Sequence, residues 1–578
     1  MAQPMKRWLF LSMLALTGIF LFGFSITSGK AEGSSPVAVL AGTVLDRQGQ
    51  AVQGATVTIQ NPGDSGQKSS HEEESNAVQA ITQADGRFLL PIQEKMNADD
   101  ILVIQRAHFR TVEVPLTPAL AAKLNAGESA HMEDVVLLRQ ISPAFWIATI
   151  IFVVVLALIA SGWLHNTLSA LMGAALIFVV SYLGPLVRSD LFIFDFNGAL
   201  KYIDWNVIFL IMGMMIVIAV VERTGIFQWL AFMAYKMSGG RVWLLLSILM
   251  IITGLASAFL DNVTTMLLMT PITVQIALSM GINPLALLIP EVFASNVVGI
   301  STLVGTPTNI LIGSYGMISF TDFLTHLTPG VLIALVGLIL YSLWVYRSEM
   351  KTNIDAEMAE FLLQKLEKQA AISEPENLKK AGCVGLGMGI LFVTGEHIHM
   401  LPSVTALMGA TALLVWIRPD IDEMIESVDW TTLVFFMTLF ICVGAIQEVG
   451  LISFIADWIG KLVGDNLMLA MIAIIWIGAI LSTVIANIPF TAAMLPVIGF
   501  LTGNIPGAGS KALFYCLAVG SAMGGNGSLI GASANMVTAG IAERAGYSIT
   551  YAYFLKKGFP ALLITVGLAT IWLLIKFL

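Results

Sequence analysis

Charge is scarce in this chain. Of 578 residues, 12% are Asp, Glu, Lys or Arg and 57% are hydrophobic, whereas soluble domains are roughly a quarter charged. That excludes a soluble protein over most of the length and leaves a lipid bilayer as its surroundings. Cysteine is scarcer still. Cys383, Cys442 and Cys516 lie far apart in apolar segments, so the N-terminal part has no disulfide framework. A formal net charge of −9 disfavours nucleic acid as a partner. No nucleophile triad, phosphate-cradling glycine loop or zinc pattern occurs. This argues against an enzyme and against ATP-driven transport by this chain alone, and the expectation is of no cofactor beyond a coupling ion.

What the sequence does have is polar residues inside apolar runs. Leu260-Asp261-Asn262-Val263-Thr264-Thr265 and Gly305-Thr306-Pro307-Thr308-Asn309 both interrupt stretches apolar enough for lipid. A carboxylate, amides and hydroxyls there are costly unless they line a cavity or bind something. Gly and Pro unwind the helix, which a membrane tolerates only where the backbone is protein-buried or faces water.

The pattern returns. Asp204-Trp205, Gly225, Ser257, Asn262 and Pro271 match Asp429-Trp430, Gly450, Ser482, Asn487 and Pro496 at an offset of 225, and Gly305 and Asn309 match Gly531 and Asn535 at 226. This reads as a duplicated unit, each copy giving a hairpin tip and a broken helix to a shared midplane site. The predicted fold is an α-helical polytopic membrane protein with two inverted repeats containing helical hairpins and broken helices, preceded by a small antiparallel β-sandwich.

In chain order, residues 1–31 read as a signal peptide or anchor: Lys6 and Arg7, an apolar run from Trp8 to Phe24, then small residues. Residues 36–140 show short alternating runs parted by turn signals such as Asp85-Gly86, as in a β domain outside the cytoplasm; Asn61 to Ala77 reads as a loose polar loop. Residues 141–200 are leading transmembrane helices, 201–347 the first repeat, 348–380 a cytoplasmic linker with an amphipathic helix over 354–371, and 381–578 the second repeat with its leading helices. Apolar segments approach the ~20 residues a bilayer requires.

Asp261 is the first candidate for chemistry. Buried at a tip, it suits a proton carrier or a Na⁺ ligand; it also suits an N-cap for the following helix, and the two roles are compatible. Glu291, after Pro290, is a second coupling candidate or else a helix-start glutamate. Asp261 aligns with Ala486 and Glu291 with Leu517, so the ionisable groups belong to the first half. Half-helix N-termini favour anions, while the preceding arms offer carbonyls to cations, and either sign of ion is open. Glu396-His397-Ile398-His399 reads as an exposed loop rather than a metal site.

These motifs, with Pro271 and Glu291-Val292-Phe293-Ala294-Ser295-Asn296, resemble the ion transporter superfamily over residues 145–578. The branch is that of the arsenite permease, the NhaD-type sodium/proton antiporters and the P protein; the citrate and dicarboxylate symporters are more distant. The resemblance implies a scaffold and a moving transport domain, a homodimer, and a site built from Asp261, Asn262, Thr264, Thr265, Thr306, Thr308, Asn309, Asn487, Ser533 and Asn535. The sequence departs from the branch at Ala486, where relatives often carry an acid. Residues 36–140 resemble the carboxypeptidase regulatory-like sandwich. The function expected is secondary transport of a small ion or organic anion coupled to Na⁺ or H⁺, inorganic-ion exchange ranking above carboxylate symport. A membrane receptor and a channel are the rivals, and four breaks at bilayer depth are more than a relay needs.

Overall fold

The computed structural model describes residues 38–47, 49, 51–60, 79–92, 96–97, 99–350 and 372–578, apart from the side chains of Asp457, Leu462 and Val463. The expected signal segment, the loop at 61–77 and the amphipathic helix at 354–371 lie outside the described residues. The described chain divides into two units, one ending at Gln140 and the other running from Ile141 to Leu578.

Alternation builds the first unit. Its strands are β1 (Ala38–Asp46), β2 (Thr56–Gln60), β3 (Gln79–Ile81), β4 (Arg87–Ile92), β5 (Ile101–Gln105) and β6 (Val112–Pro115); helix α1 (Pro118–Asn125), β7 (Ala130–His131) and β8 (Val135–Leu137) follow. Every second residue of β1 is buried, the signature of a strand with one face on a core. One sheet runs β3-β2-β5-β6, wholly antiparallel; in the other, β1 pairs antiparallel with β4 and parallel with β7 and β8. Leu40, Val44, Phe88 and Leu90 from one sheet meet Val57, Leu102 and Ile104 from the other in a single apolar core. The turn into β4 needs Gly86: its φ is +77°, and a Cβ would lie 2.6 Å from the Val44 carbonyl.

The second unit is helical, and its two halves repeat helix by helix. The first half holds α2 (Pro143–Ser161), α3 (Asn166–Leu183), the short α4 (Phe196–Lys201), α5 (Trp205–Arg223), α6 (Ile226–Ser238), α7 (Val242–Ser257), α8 (Asn262–Ser279), α9 (Leu285–Val298), α10 (Pro307–Gly316) and α11 (Phe320–Val345). The second holds α12 (Pro375–Thr394), α13 (Pro402–Ile417), α14 (Ile421–Glu426), α15 (Trp430–Glu448), α16 (Leu451–Val463), α17 (Leu467–Val484), α18 (Asn487–Asn504), α19 (Ala512–Gly524), α20 (Ser533–Arg544) and α21 (Tyr551–Phe577). Helix α12 starts inside the polar stretch assigned to the linker. Among the described residues nine helices are long and apolar enough to cross a membrane, and α7, α9 and α13 are shorter apolar helices. The unit is thus a polytopic helical membrane protein with two inverted repeats.

Packing is reciprocal between the halves. Helix α8 lies against α20, and α18 against α10, so each tip helix meets the other half's broken helix. Helices α5 and α13 pack together, as do α15 and α3. Close approach at the breaks depends on glycine. A Cβ on Gly305 would collide with the carbonyl oxygens of Gly299, Ser257 (2.7 Å) and Ala258 (2.9 Å), and one on Gly531 would press the Gly525 (2.9 Å) and Ser482 (3.0 Å) carbonyls. Because these neighbours are backbone, they cannot swing aside. Gly305→Ala is expected to cost about 1–3 kcal/mol by overpacking and to lower the thermal unfolding midpoint of the purified full chain more than Gly531→Ala does; equal midpoints for the two variants would contradict this packing.

Candidate functional site

The site grows from backbone that the breaks set free. Helix α9 tightens into a 3₁₀ turn at Gly299–Ser301, and the chain stays non-helical until Thr306, the N-cap of α10. Such freed carbonyls need partners in a bilayer, at several kcal/mol each if left bare. The Asn309 amide nitrogen donates to the carbonyls of Ile300 (3.0 Å) and Thr302 (2.7 Å). In the second half the Asn535 amide nitrogen donates to Gly525 (2.8 Å) and Ser528 (2.9 Å). Thr302 and Ser528 repeat each other too: their hydroxyls donate to the carbonyls of Ala258 and Thr483 at the tips, and each accepts the amide of Gly305 or Gly531 at 3.1 Å. Asn309 and Asn535 are therefore splints, with their amide oxygens left for other work.

At the first tip Asp261 caps α8. One carboxylate oxygen accepts the amides of Val263 (2.8 Å) and Thr264 (2.9 Å), and the other accepts the Thr264 hydroxyl (2.5 Å). Thr265 donates its hydroxyl to the Asp261 carbonyl at 2.9 Å. Ala486 leaves α18 without a side-chain cap. Thr306 accepts the Asn309 amide at 3.2 Å and shares a 3.0 Å hydroxyl contact with Thr308.

An asparagine chain joins the halves. Asn262 donates to Asn296 at 2.8 Å, and Asn296 donates to Asn526 (2.9 Å) and Asn535 (3.0 Å). The equivalent of Asn296 is Ala522, and the buried amide oxygen of Asn309 accordingly has no partner among the described residues. Asn487 is buried at the second tip.

In front of these lies a cavity of about 550 Å³. Asp261, Val263, Thr264, Pro307, Ile488 and Ser533 line it from the two tips and the two broken helices. Helix α5 supplies one face, Ile211, Met214, Met215, Ile218, Ala219 and Glu222, the i, i+3, i+4 spacing of a single stripe. Asp429, Thr431 and Thr432 of α15 and His165 before α3 complete the polar wall. Asp429 repeats the cap of Asp261, accepting the Thr432 amide (3.0 Å) and hydroxyl (2.5 Å). Of the residues expected at the site, Asp261, Thr264 and Ser533 face the cavity; Asn262, Thr265, Thr306, Thr308, Asn309, Asn487 and Asn535 sit buried behind it. Glu291 lies away from it, fully buried. Sequence reasoning missed Asp429, Glu222, Asn296 and Asn526 as site residues. The Asp204/Asp429 pairing was a signal for Asp429, read only as a marker of duplication.

A family model described as citrate transporter matches residues 154–511. Transporters of Mycobacterium bovis and Mycobacterium tuberculosis, both called uncharacterized, are each 38% identical over 433 residues, 75% of this chain and 98% of theirs. The P protein of Homo sapiens is 30% identical over 595 residues, 87% of this chain and 70% of that one. The crystal structure of the Alcanivorax borkumensis YdaH transporter aligns at 14% identity with a TM-score of 0.46, covering 74% of this chain and 97% of that chain.

Asn296→Ala copies the residue of the second half and takes their Asn296 partner from the buried Asn262 amide nitrogen and Asn535 amide oxygen. It is expected to destabilise the protein by about 1–3 kcal/mol; thermal unfolding of the purified chain would show a lowered midpoint, and an unchanged one would remove the asparagine chain from the fold's support.

Proposed function

The chain belongs to the citrate transporter family, and from that premise we propose that it exchanges a small inorganic cation for protons, Asp261 and Asp429 holding the cation in the cavity between the two halves. As a family member it is a multi-pass secondary transporter, which makes an enzymatic role unneeded; substrate and coupling ion are the proposal. One observation carries it: Asp261, Asp429 and Glu222 line the cavity, and among the described residues no lysine or arginine does. Two carboxylates lining one cavity are relieved by a cation or a proton between them. A polycarboxylate such as citrate would add negative charge to that wall. The caps use only part of each carboxylate's acceptor capacity, so lone pairs remain for Na⁺.

A second reading, carboxylate symport, rests on the N-termini of α8, α10, α18 and α20, whose first residues line the cavity and offer backbone N–H groups to an anion. The proposal also includes a homodimer in the plasma (inner) membrane and an extracytoplasmic place for residues 36–140.

Proteoliposomes holding the full chain separate the readings. Na⁺ gradients are expected to drive proton movement while labelled citrate stays outside; citrate accumulation without cation exchange would replace the first reading with the second. Asp261→Asn keeps a competent N-cap, so it is expected to leave the fold intact and lower gradient-driven flux at least about tenfold. Unchanged flux would remove Asp261 from the coupling role.

A further inference from the structure

Glu291 is a carboxylate that the cavity does not use. It sits in mid-α9 with no exposed surface. One of its oxygens accepts the hydroxyls of Thr253 on α7 and Thr273 on α8, both at 3.1 Å, and the other is buried without a partner among the described residues. Among the described residues no cation pairs with it. The helices packed on α9 carry other titratable groups: Asp261 heading α8, Asp322, His326 and Tyr341 on α11, Tyr515 and Cys516 on α19, Glu543 and Arg544 ending α20. Helix α21 adds Tyr551, Tyr553, Lys556, Lys557 and Lys576. Thr253 and Thr273 alone bond to the Glu291 side chain among the described residues.

The duplication supplies an internal control. The residues equivalent to Thr253, Thr273 and Glu291 are Gly478, Ile498 and Leu517, and Ile498 and Leu517 are fully buried. The same frame therefore packs this triangle with apolar groups. Burying a carboxylate and two hydroxyls is a cost the architecture does not require, since apolar replacements of buried polar groups are often neutral or stabilising. What is retained against a cost calls for a role.

Position suggests which. Glu291 is the first of a ladder of separate hydrogen-bonded rungs that cross to α9: Thr253 of α7 donates to Glu291; one turn on, Ser295 donates to Ser257 of α7, hydroxyl to hydroxyl at 2.9 Å; then Asn262 of α8 donates to Asn296 beside the Asp261 tip. Among the described residues the second half keeps only the serine rung, Ser482 donating to the Ser521 carbonyl. A metal ion would need more ligands than one carboxylate and two hydroxyls, and among the described residues no group of three or more His, Cys, Asp and Glu is set to hold one. A proton needs no coordination sphere.

We propose that Glu291 is a proton-binding site separate from the cation site of Asp261, taking up one proton to become a neutral carboxylic acid in one stage of the cycle and releasing it in another, with the ladder linking its state to the hairpin tip. This rests on the cation/proton exchange reading. The test uses full-length protein in proteoliposomes with Na⁺ as the probe. Glu291→Gln is expected to keep Na⁺/Na⁺ self-exchange within about twofold while Na⁺-driven proton flux, followed by an internal pH dye, falls at least about tenfold. The triple variant T253G/T273I/E291L, which copies the second half's packing, is expected to behave alike and serves should E291Q fold poorly. Proton flux within about twofold of wild type in either folded variant would overturn the proposal. Should wild-type protein exchange no Na⁺ for protons, the functional reading falls, and infrared pH titration decides Glu291 alone. A protonated-carboxyl carbonyl band that titrates in wild type and is missing in E291Q supports the site; its absence from wild type overturns it.

Discussion

Unwound backbone inside a bilayer must be satisfied by the protein itself, and here two asparagines do it. Asn309 and Asn535 each bridge two carbonyls released where α9 and α19 end. Everything at the site follows from that splinting. The breaks stay short because one side chain spans them. The glycines at 305 and 531 let the unwound chain lie on the tips, and Thr302 and Ser528 tie break to tip within each half. The N-termini of α10 and α20 then point into the cavity in front, where fixed dipoles act without the screening of bulk water.

On this common frame the halves differ in a few polar positions. Asp261 against Ala486, Asn296 against Ala522, and Glu291 against Leu517 put two carboxylates and the bridging amide in the first half. Since the backbone frame is shared, it does not itself require the two carboxylates of the first half. The cavity's second carboxylate comes from elsewhere: Asp429 caps α15, a helix that packs on α3 as α5 packs on α13. Charge from the tip and charge from this outer layer thus face one space.

The two bland readings offered for the acids met different fates. Asp261 is an N-cap, and it also lines the cavity; capping consumes some of its lone pairs and leaves others. Glu291 is no helix-start residue: α9 begins at Leu285 and Glu291 lies well inside it. A proline often marks a helix's first turn, yet Pro290 lies within α9.

Sequence alone determined the membrane class, the duplication and the two pairs of breaks. Scarce charge, the 225-residue offset and Gly or Pro beside Asn are local facts, and a bilayer punishes polar groups enough that such facts carry meaning one residue at a time. It also singled out Asp261. It left undecided which of the expected residues face a ligand and which hold the backbone, because Asn262, Asn309 and Asn535 look alike in a string, and only their partners separate splint from site. The tertiary structure decided that, along with the arrival of Asp429 and Glu222 from helices distant in sequence and the reciprocal packing of α8 on α20 and α18 on α10. The reason is physical: a cavity's charge is the sum of what every surrounding helix turns toward it, and that direction is set by packing between segments hundreds of residues apart.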